Sequence, residues 1–240
     1  GAALAFFVNS VVESGQSVEK IDKVILDHHI AEIDRKLSMQ LDQILHNPEF
    51  QKMESAWRSL KFLVDRTDFK KNIKIDILDV GKDELAEDFE DVPETIQSGL
   101  YKHVYTEEYD TPGGEPYAAM VSNFEFDSTP PSVALLTEIS KVAASCHCPF
   151  IGSATPKFFN KESAHDLPKI EDLHNYMERS EFLKWNAFRQ SEDSRYVGLT
   201  LPRFMLRLPY GPETAPIKEF NYMEDVKGDD HDRYLWGNAS

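Results

Sequence analysis

Residues 117–153 have the sequence YAAMVSNFEFDSTPPSVALLTEISKVAASCHCPFIGS, in which two apolar segments flank a helical pattern. Tyr117–Phe124 is mostly apolar with few charges, which is typical of a strand covered on both faces. Thr129-Pro-Pro131 leads into a helix predicted from Ser132 to about Ser145, and Cys148–Ser153 is predicted to be a short strand. The order strand, helix, strand is a βαβ unit, so part of the sheet is expected to be parallel.

The N-terminal quarter has the period of two long helices. Spacings of three and four from Ser17 to His46 predict an amphipathic helix, and Ser10–Glu13 fits a capping box. Asn47-Pro48 provides an N-cap and a proline suited to the first helical position. The first stripe is Ile21, Val24, Ile25, His28, Ile30, Ile33, Leu37, Leu41, Ile44 and Leu45, and the second is Phe50, Met53, Trp57, Leu60 and Val64. These stripes could pack on the local core, or they could face a partner or the remainder of the chain; both alternatives stay open.

The segments between and after these elements have weaker patterns. Ile73, Ile75 and Ile77 alternate with polar residues, which predicts a half-buried strand. Pro93–Tyr109 is predicted to be a helix, and Arg203–Leu208 a strand. The last 30 residues are rich in Pro, Gly and Asp and are expected to have little regular structure. We therefore expect an α/β protein with an N-terminal long-helix arm, residues 1–70, and a mixed, partly parallel α/β body, residues 71–240.

Composition excludes several classes of function. The chain has 240 residues and a net charge of −16, which argues against binding to nucleic acid or to an anionic membrane surface. No apolar run approaches the ~20 residues of a membrane helix.

The first residue is not Met, and the sequence stops just after Tyr234-Leu-Trp236 without a cap or polar tail. Both ends are therefore expected to be cuts through a longer protein.

Two histidine- or cysteine-containing motifs could suggest chemistry. His28-His29 with Glu32 lacks the spacing of a zinc protease, in which the histidines stand four residues apart, so a helix surface is expected. Cys146-His147-Cys148 has too few ligands for structural zinc, because no second cysteine pair exists. We expect a helix-to-strand turn with small buried thiols.

The acidic and glycine-rich motifs also lack what their chemistries require. Asp229-Asp-His-Asp232 lacks the alternating spacing of a calcium loop. Gly113-Gly114 precedes a strand, whereas phosphate loops follow one. Glu107-Glu108 and Glu87–Asp91 are expected to be solvated faces rather than a general acid and base. We assign no catalytic, cofactor-binding or metal-binding residue, and a metal-dependent hydrolase built on Cys146, His147 and the Asp229 loop is the alternative.

Several segments together resemble one known family. They occur in the expected order from about residue 31 onwards. The segments are Ala31–Ser38, His46–Gln51, Trp57–Lys61, Leu63–Arg66, Gln97–Tyr105, Gly113–Pro116, Pro156–Phe159, Ser191–Thr200, Pro202–Phe204 and Tyr234–Asn238. In these residues the chain resembles the large, C-type subunit of the contractile sheath of bacterial type VI secretion systems.

The resemblance implies a cytoplasmic structural protein without a cofactor, not an enzyme. Family members pair with a small, B-type sheath subunit and polymerise, with other copies of themselves, around inner-tube protein rings. Contraction of the helical sheath drives effector delivery, and a AAA+ unfoldase recycles the contracted form, through regions that the resemblance places outside this chain. Family members are about twice as long, so the resemblance covers the N-proximal and middle part. A soluble adaptor that does not polymerise is a further alternative.

Overall fold

The computed structural model describes residue 9, residues 23–228 and residues 231–237. The α-helices are α1 Lys23–Leu45, α2 Pro48–Arg66, α3 Lys82–Glu90, α4 Gly99–Tyr101, α5 Pro130–Ser145, α6 Leu173–Met177 and α7 Leu183–Arg189. The strands are β1 Met120–Phe126, β2 Phe150–Ala154, β3 Val197–Thr200, β4 Phe204–Met205 and β5 Trp236–Gly237. A π-helix, Lys102–Tyr109, continues α4. The 3-10 helices are Phe69–Lys71, Thr95–Gln97, Pro156–Phe159, Ala164–Lys169, Ser180–Phe182 and Asp193–Tyr196.

Contacts divide the chain into two compact units. The first comprises Gly1–Lys52 with Leu208–Tyr234, and the second comprises Met53–Arg207 with Leu235–Ser240. The sequence-based boundary between an arm and a body at residue 70 remains a prediction.

The second unit contains a three-stranded parallel sheet in the order β1-β2-β3. Met120 on β1 pairs with Phe150 on β2, and Phe150 pairs with Val197 on β3. The helix α5 connects β1 to β2, so the predicted βαβ unit and the α/β class are confirmed. Pro130 and Pro131 occupy the first positions of α5, where the missing amide hydrogens cost no helical hydrogen bond.

The core of this unit lies between α5 and the sheet. Leu136, Ile139 and Val142 of α5 and Phe126 of β1 have no exposed surface. The helix α5 is largely apolar, whereas a surface helix is apolar along one stripe only. Side chains on several sides of α5 can therefore be buried. Burying side chains of this size stabilises the fold by about 1.5–3 kcal/mol each.

The strand predicted at Ile73, Ile75 and Ile77 was wrong. Residues 73–81 form neither helix nor strand, and Ile73 and Ile77 are 44% and 67% exposed. The segment has the alternating pattern of a strand but not the ladder of backbone hydrogen bonds that defines one.

Two other predicted elements differ in detail. Pro93–Tyr109 is helical only in pieces, because the Ser98 hydroxyl accepts a hydrogen bond from the Tyr101 amide and starts a new helix there. The strand predicted over Arg203–Leu208 is only the two residues of β4, which pair antiparallel with β5.

The first unit contains α1, the start of α2 and a C-terminal segment, residues 208–228. The Asn47 side chain accepts hydrogen bonds from the Glu49 and Phe50 amides at 3.0 and 3.3 Å, and α2 begins at Pro48 as predicted. The helix predicted from Ser17 is described from Lys23 onwards, and the capping box at residues 10–13 lies outside the described residues. In the described part of the chain, no helix combines the length and apolar character needed to cross a membrane.

The C-terminal segment has little regular structure, as predicted, but it packs on α1. The Tyr222 hydroxyl donates a 2.7 Å hydrogen bond to Asp42. Glu224 is 5% exposed and holds both the Tyr210 amide, at 2.8 Å, and the His46 ring, at 3.3 Å. The segment is therefore held on α1 by side-chain hydrogen bonds and not by the backbone hydrogen bonds of a sheet.

Candidate interaction surface

The helix α1 presents a seam of exposed side chains at alternating spacings of four and three residues. We call this set the α1 seam: Leu26, Ile30, Ile33, Leu37, Gln40 and Ile44. Its five apolar members are between 37% and 52% exposed. The spacing is that of the a and d positions of a heptad repeat, which line the contact between two helices in a coiled coil.

A different face of α1 is covered by the first unit itself. Leu45 is 7% exposed, and Ser38, Leu41 and Asp42 are half-buried near it. At 100° per residue, this covered face lies roughly 110° around the helix from the α1 seam. The helix therefore has one face for its own unit and a second apolar face left open.

The edges of the α1 seam are charged. Asp27 and Asp34 lie on one side, and His29 and Lys36 on the other. Lys36 makes a 3.0 Å ion pair with Glu32, and the Asn221 amide contacts Asp34 at 3.4 Å. Such flanking charges select the partner and orientation of a coiled coil more than they add to its affinity.

The second unit also exposes apolar side chains on α2. Met53, Trp57 and Val64 are 51%, 67% and 39% exposed, while Leu60 is half-buried. These residues are again spaced by three and four. An exposed aromatic anchor of this kind is typical of the residues that dominate binding energy at protein interfaces.

Most members of the two stripes predicted from the sequence are thus not in the core. Leu41 and Leu45 pack within the first unit, whereas Val24, Ile30, Ile33, Leu37 and Ile44 are exposed, as is His28. Ile21 and the Ile25 side chain lie outside the described residues. Two seam residues, Leu26 and Gln40, were missed, and their regular spacing was the signal that could have identified them.

The second unit also contains an ion-pair cluster that the sequence did not indicate. Arg58 and Arg207 each direct Nε to the same Glu54 oxygen, at 2.7 and 3.0 Å. Glu54 and Arg207 come from distant parts of the chain, and both side chains are about nine-tenths buried. The cluster ties α2 to the segment after β4.

The histidine motif on α1 does not gather a set of metal ligands. His28 and His29 stack edge to face at 5.9 Å, and His29 Nδ1 lies 4.0 Å from Glu32. Within the residues that the structure describes, no three His, Cys, Asp or Glu side chains are arranged to hold a metal ion.

Cys146 and Cys148 occupy the turn from α5 to β2, as predicted, and both are buried free thiols. The Cys146 thiol donates a hydrogen bond to the Val142 carbonyl at 3.2 Å, and the neighbouring Cys148 thiol lowers the pKa of Cys146 against the effect of burial. The same pair and the burial of Cys148 raise the pKa of Cys148. His147 between them has a positive φ of 54° and bonds Tyr196 Oη at 2.9 Å. At this turn, two buried thiols therefore flank a histidine whose ring contacts Tyr196.

The remaining motifs serve local structure. Gly113 has a φ of 91° in a turn, and the Glu115 amide donates a hydrogen bond to the Glu108 carboxylate. Glu107 contacts His103 at 3.1 Å, and both carboxylate oxygens of Asp88 accept the Gly99 amide. Of the acidic loop, residues 229 and 230 lie outside the described residues, and the Asp232 carbonyl accepts a hydrogen bond from Gln51.

The described residues thus combine a parallel α/β core with exposed apolar faces on the helices α1 and α2, which is the surface pattern of a protein that assembles with others. Residues 27–240 match the family described as EvpB/VC_A0108, tail sheath N-terminal domain (VipB), and the chain belongs to this family. It is also 40% identical over 229 residues to the type VI secretion system sheath protein TssC1 of Pseudomonas aeruginosa. That match covers 95% of this chain and 45% of the relative, so the chain spans less than half of the relative's length.

Proposed function

We propose that this chain is part of the large structural subunit of a contractile sheath of type VI secretion. The subunit polymerises in the cytoplasm with a small, B-type sheath subunit and further copies of itself around an inner tube. The sheath then contracts to deliver effectors, and a AAA+ unfoldase recycles it. Family membership and the 40% identity to a sheath protein support this proposal.

The observation that carries the proposal at the residue level is the exposed α1 seam. A sheath subunit acts through surfaces, because contraction rearranges many protein–protein contacts. Residues Leu26 to Ile44 offer a helix-sized apolar strip that their own unit leaves uncovered. We propose that this strip binds a helix of the small subunit. The strip lies within the N-terminal helical arm of this chain, residues 1–70.

Charge favours a different protein over a second copy on this strip. Each copy of the chain carries a net charge of −16, so two copies repel one another. Asp27 at one edge favours a partner helix with Lys or Arg at the facing position, and Lys36 at the other edge favours Asp or Glu there. The small subunit is therefore proposed to contribute an amphipathic helix that carries flanking charges of both signs.

The test compares two substitutions in the full-length protein that contains this chain, co-expressed with the small subunit. Leu37→Asp places a charge in the middle of the α1 seam, and Met39→Asp places the same charge on an exposed residue outside it. Leu37 is 44% exposed and Met39 is 55% exposed, so neither change should unfold the free protein. Thermal unfolding of each variant alone checks this point.

We expect Leu37→Asp to weaken co-purification with the small subunit at least tenfold and to abolish tubules in electron micrographs. Met39→Asp should leave both unchanged. If the parent protein forms neither complexes nor tubules with the small subunit, the proposal fails. A stable complex that never forms tubules would instead favour an adaptor.

A further inference from the structure

Gln40 interrupts the α1 seam with an uncharged polar side chain. It follows Leu37 by three residues and precedes Ile44 by four, so it occupies a seam position. Gln40 is exposed, so its amide is open to water. A partner helix lying on the α1 seam must therefore cover this amide.

Covering an amide without a hydrogen-bond partner is unfavourable, because the amide gives up its hydrogen bonds to water. A partner helix can avoid this cost only where one of its own polar side chains lies opposite Gln40. A helix displaced by one heptad would still match the apolar positions, because they repeat every seven residues. It would place an apolar side chain against the amide instead.

We propose that Gln40 sets the register of the partner helix on the α1 seam. This inference rests on the proposed function, and its partner is the amphipathic helix of the small subunit assigned there. That helix carries a polar side chain at the position facing Gln40. The apolar members of the seam supply affinity, and Gln40 selects one of the alignments that they allow.

A cross-linking experiment measures the register directly. Lys36 flanks the α1 seam and is replaced by the photo-reactive residue p-benzoylphenylalanine in the full-length protein. Its ion pair with Glu32 is solvent-exposed, so its loss has little effect on stability. After irradiation of the complex with the small subunit, mass spectrometry locates the cross-linked partner residues.

Two variants carrying this probe are compared with the unmodified seam. Gln40→Leu makes the seam continuously apolar, and Gln43→Leu is the same substitution at an exposed residue roughly 100° from the centre of the seam. We expect one cluster of cross-linked partner residues with Gln40 and with Gln43→Leu. Gln40→Leu should bind no more weakly and add a second cluster displaced by about seven residues.

A single, unshifted cluster with Gln40→Leu would overturn the register proposal. Cross-links to a second copy of the chain instead of to the small subunit would also overturn it. Leu37→Asp separates this failure from that of the proposed function. If Leu37→Asp abolishes binding while Gln40→Leu keeps one cluster, the seam is the docking site but Gln40 does not set its register.

Discussion

Gly152 of β2 lies directly against the ring of Phe126 of β1. A Cβ added at Gly152 would stand 2.7 Å from Phe126 Cε2 and 3.3 Å from Phe150 Cε1. Phe126 has no exposed surface, so its ring can shift only by displacing its neighbours in the core. The absence of a side chain at this position is what lets the ring fill the space beside β2.

Gly152→Ala is therefore expected to lower the free energy of unfolding by about 1–3 kcal/mol through overpacking. Gly198→Ala on the adjacent strand β3 is the matched control, because an added Cβ there meets nothing within 4 Å. Urea unfolding of both variants measures the difference. Equal stabilities for the two variants would show that the core yields at Phe126.

The N-cap of α2 gives a second prediction. Asn47→Ala removes the side-chain acceptor of the Glu49 and Phe50 amides and should cost about 1 kcal/mol. Asn47→Asp keeps an acceptor and places a negative charge at the helix N-terminus, so it should retain the stability. Differential scanning calorimetry can compare the two variants, and an Asp variant as unstable as the Ala variant would contradict the capping role.

Asp127, just before α5, should contribute to acid sensitivity. Its partial burial favours the neutral acid, but hydrogen bonds from Thr129 and Ser132 and the charge of Lys82 outweigh this effect and lower the pKa of Asp127. Because the folded-state pKa lies below the unfolded value of about 3.9, its stabilising effect is present above that pH. The effect is lost as the pH falls through the folded-state pKa.

Asp127→Asn should accordingly destabilise the protein at pH 6 and make a smaller difference at pH 3. Chemical unfolding at the two pH values measures this change. Asp79→Asn, at an exposed carboxylate, is the control and should behave like the parent chain. A constant difference between parent and Asp127→Asn at both pH values would contradict the assignment.

The burial of both thiols predicts that they react slowly in the folded protein. The neighbouring Cys148 lowers the pKa of Cys146, which favours the reactive thiolate, yet Cys146 and Cys148 are only 4% and 0% exposed. We expect neither to react quickly with a bulky aromatic disulfide in the folded protein, and both to react in urea. Ser145→Cys adds a neighbouring exposed position that should react in the folded state. Rapid labelling of the unsubstituted protein would contradict the buried turn.

The elements that the sequence predicted well depend on local chemistry. The helix start at Asn47-Pro48 follows from capping, and the β1-α5-β2 unit follows from a change of apolar period. Both depend on residues close together in the chain. The segment at residues 73–81 shows the limit of this reasoning, because its residues alternate as in a strand, yet it pairs with no strand among the residues that the structure describes.

The sequence by itself determined the α/β class, the two long helices and the family resemblance, because these follow from the spacing of apolar residues and from short motifs that occur in a fixed order. Only the tertiary structure decided which face of α1 is covered, since Tyr222 and Asn221 reach that helix from far along the chain. An apolar stripe states that a surface prefers burial, but not what will bury it. In the tertiary structure Leu45 is buried within the first unit, whereas the side of α1 that contains Leu37 and Gln40 is exposed.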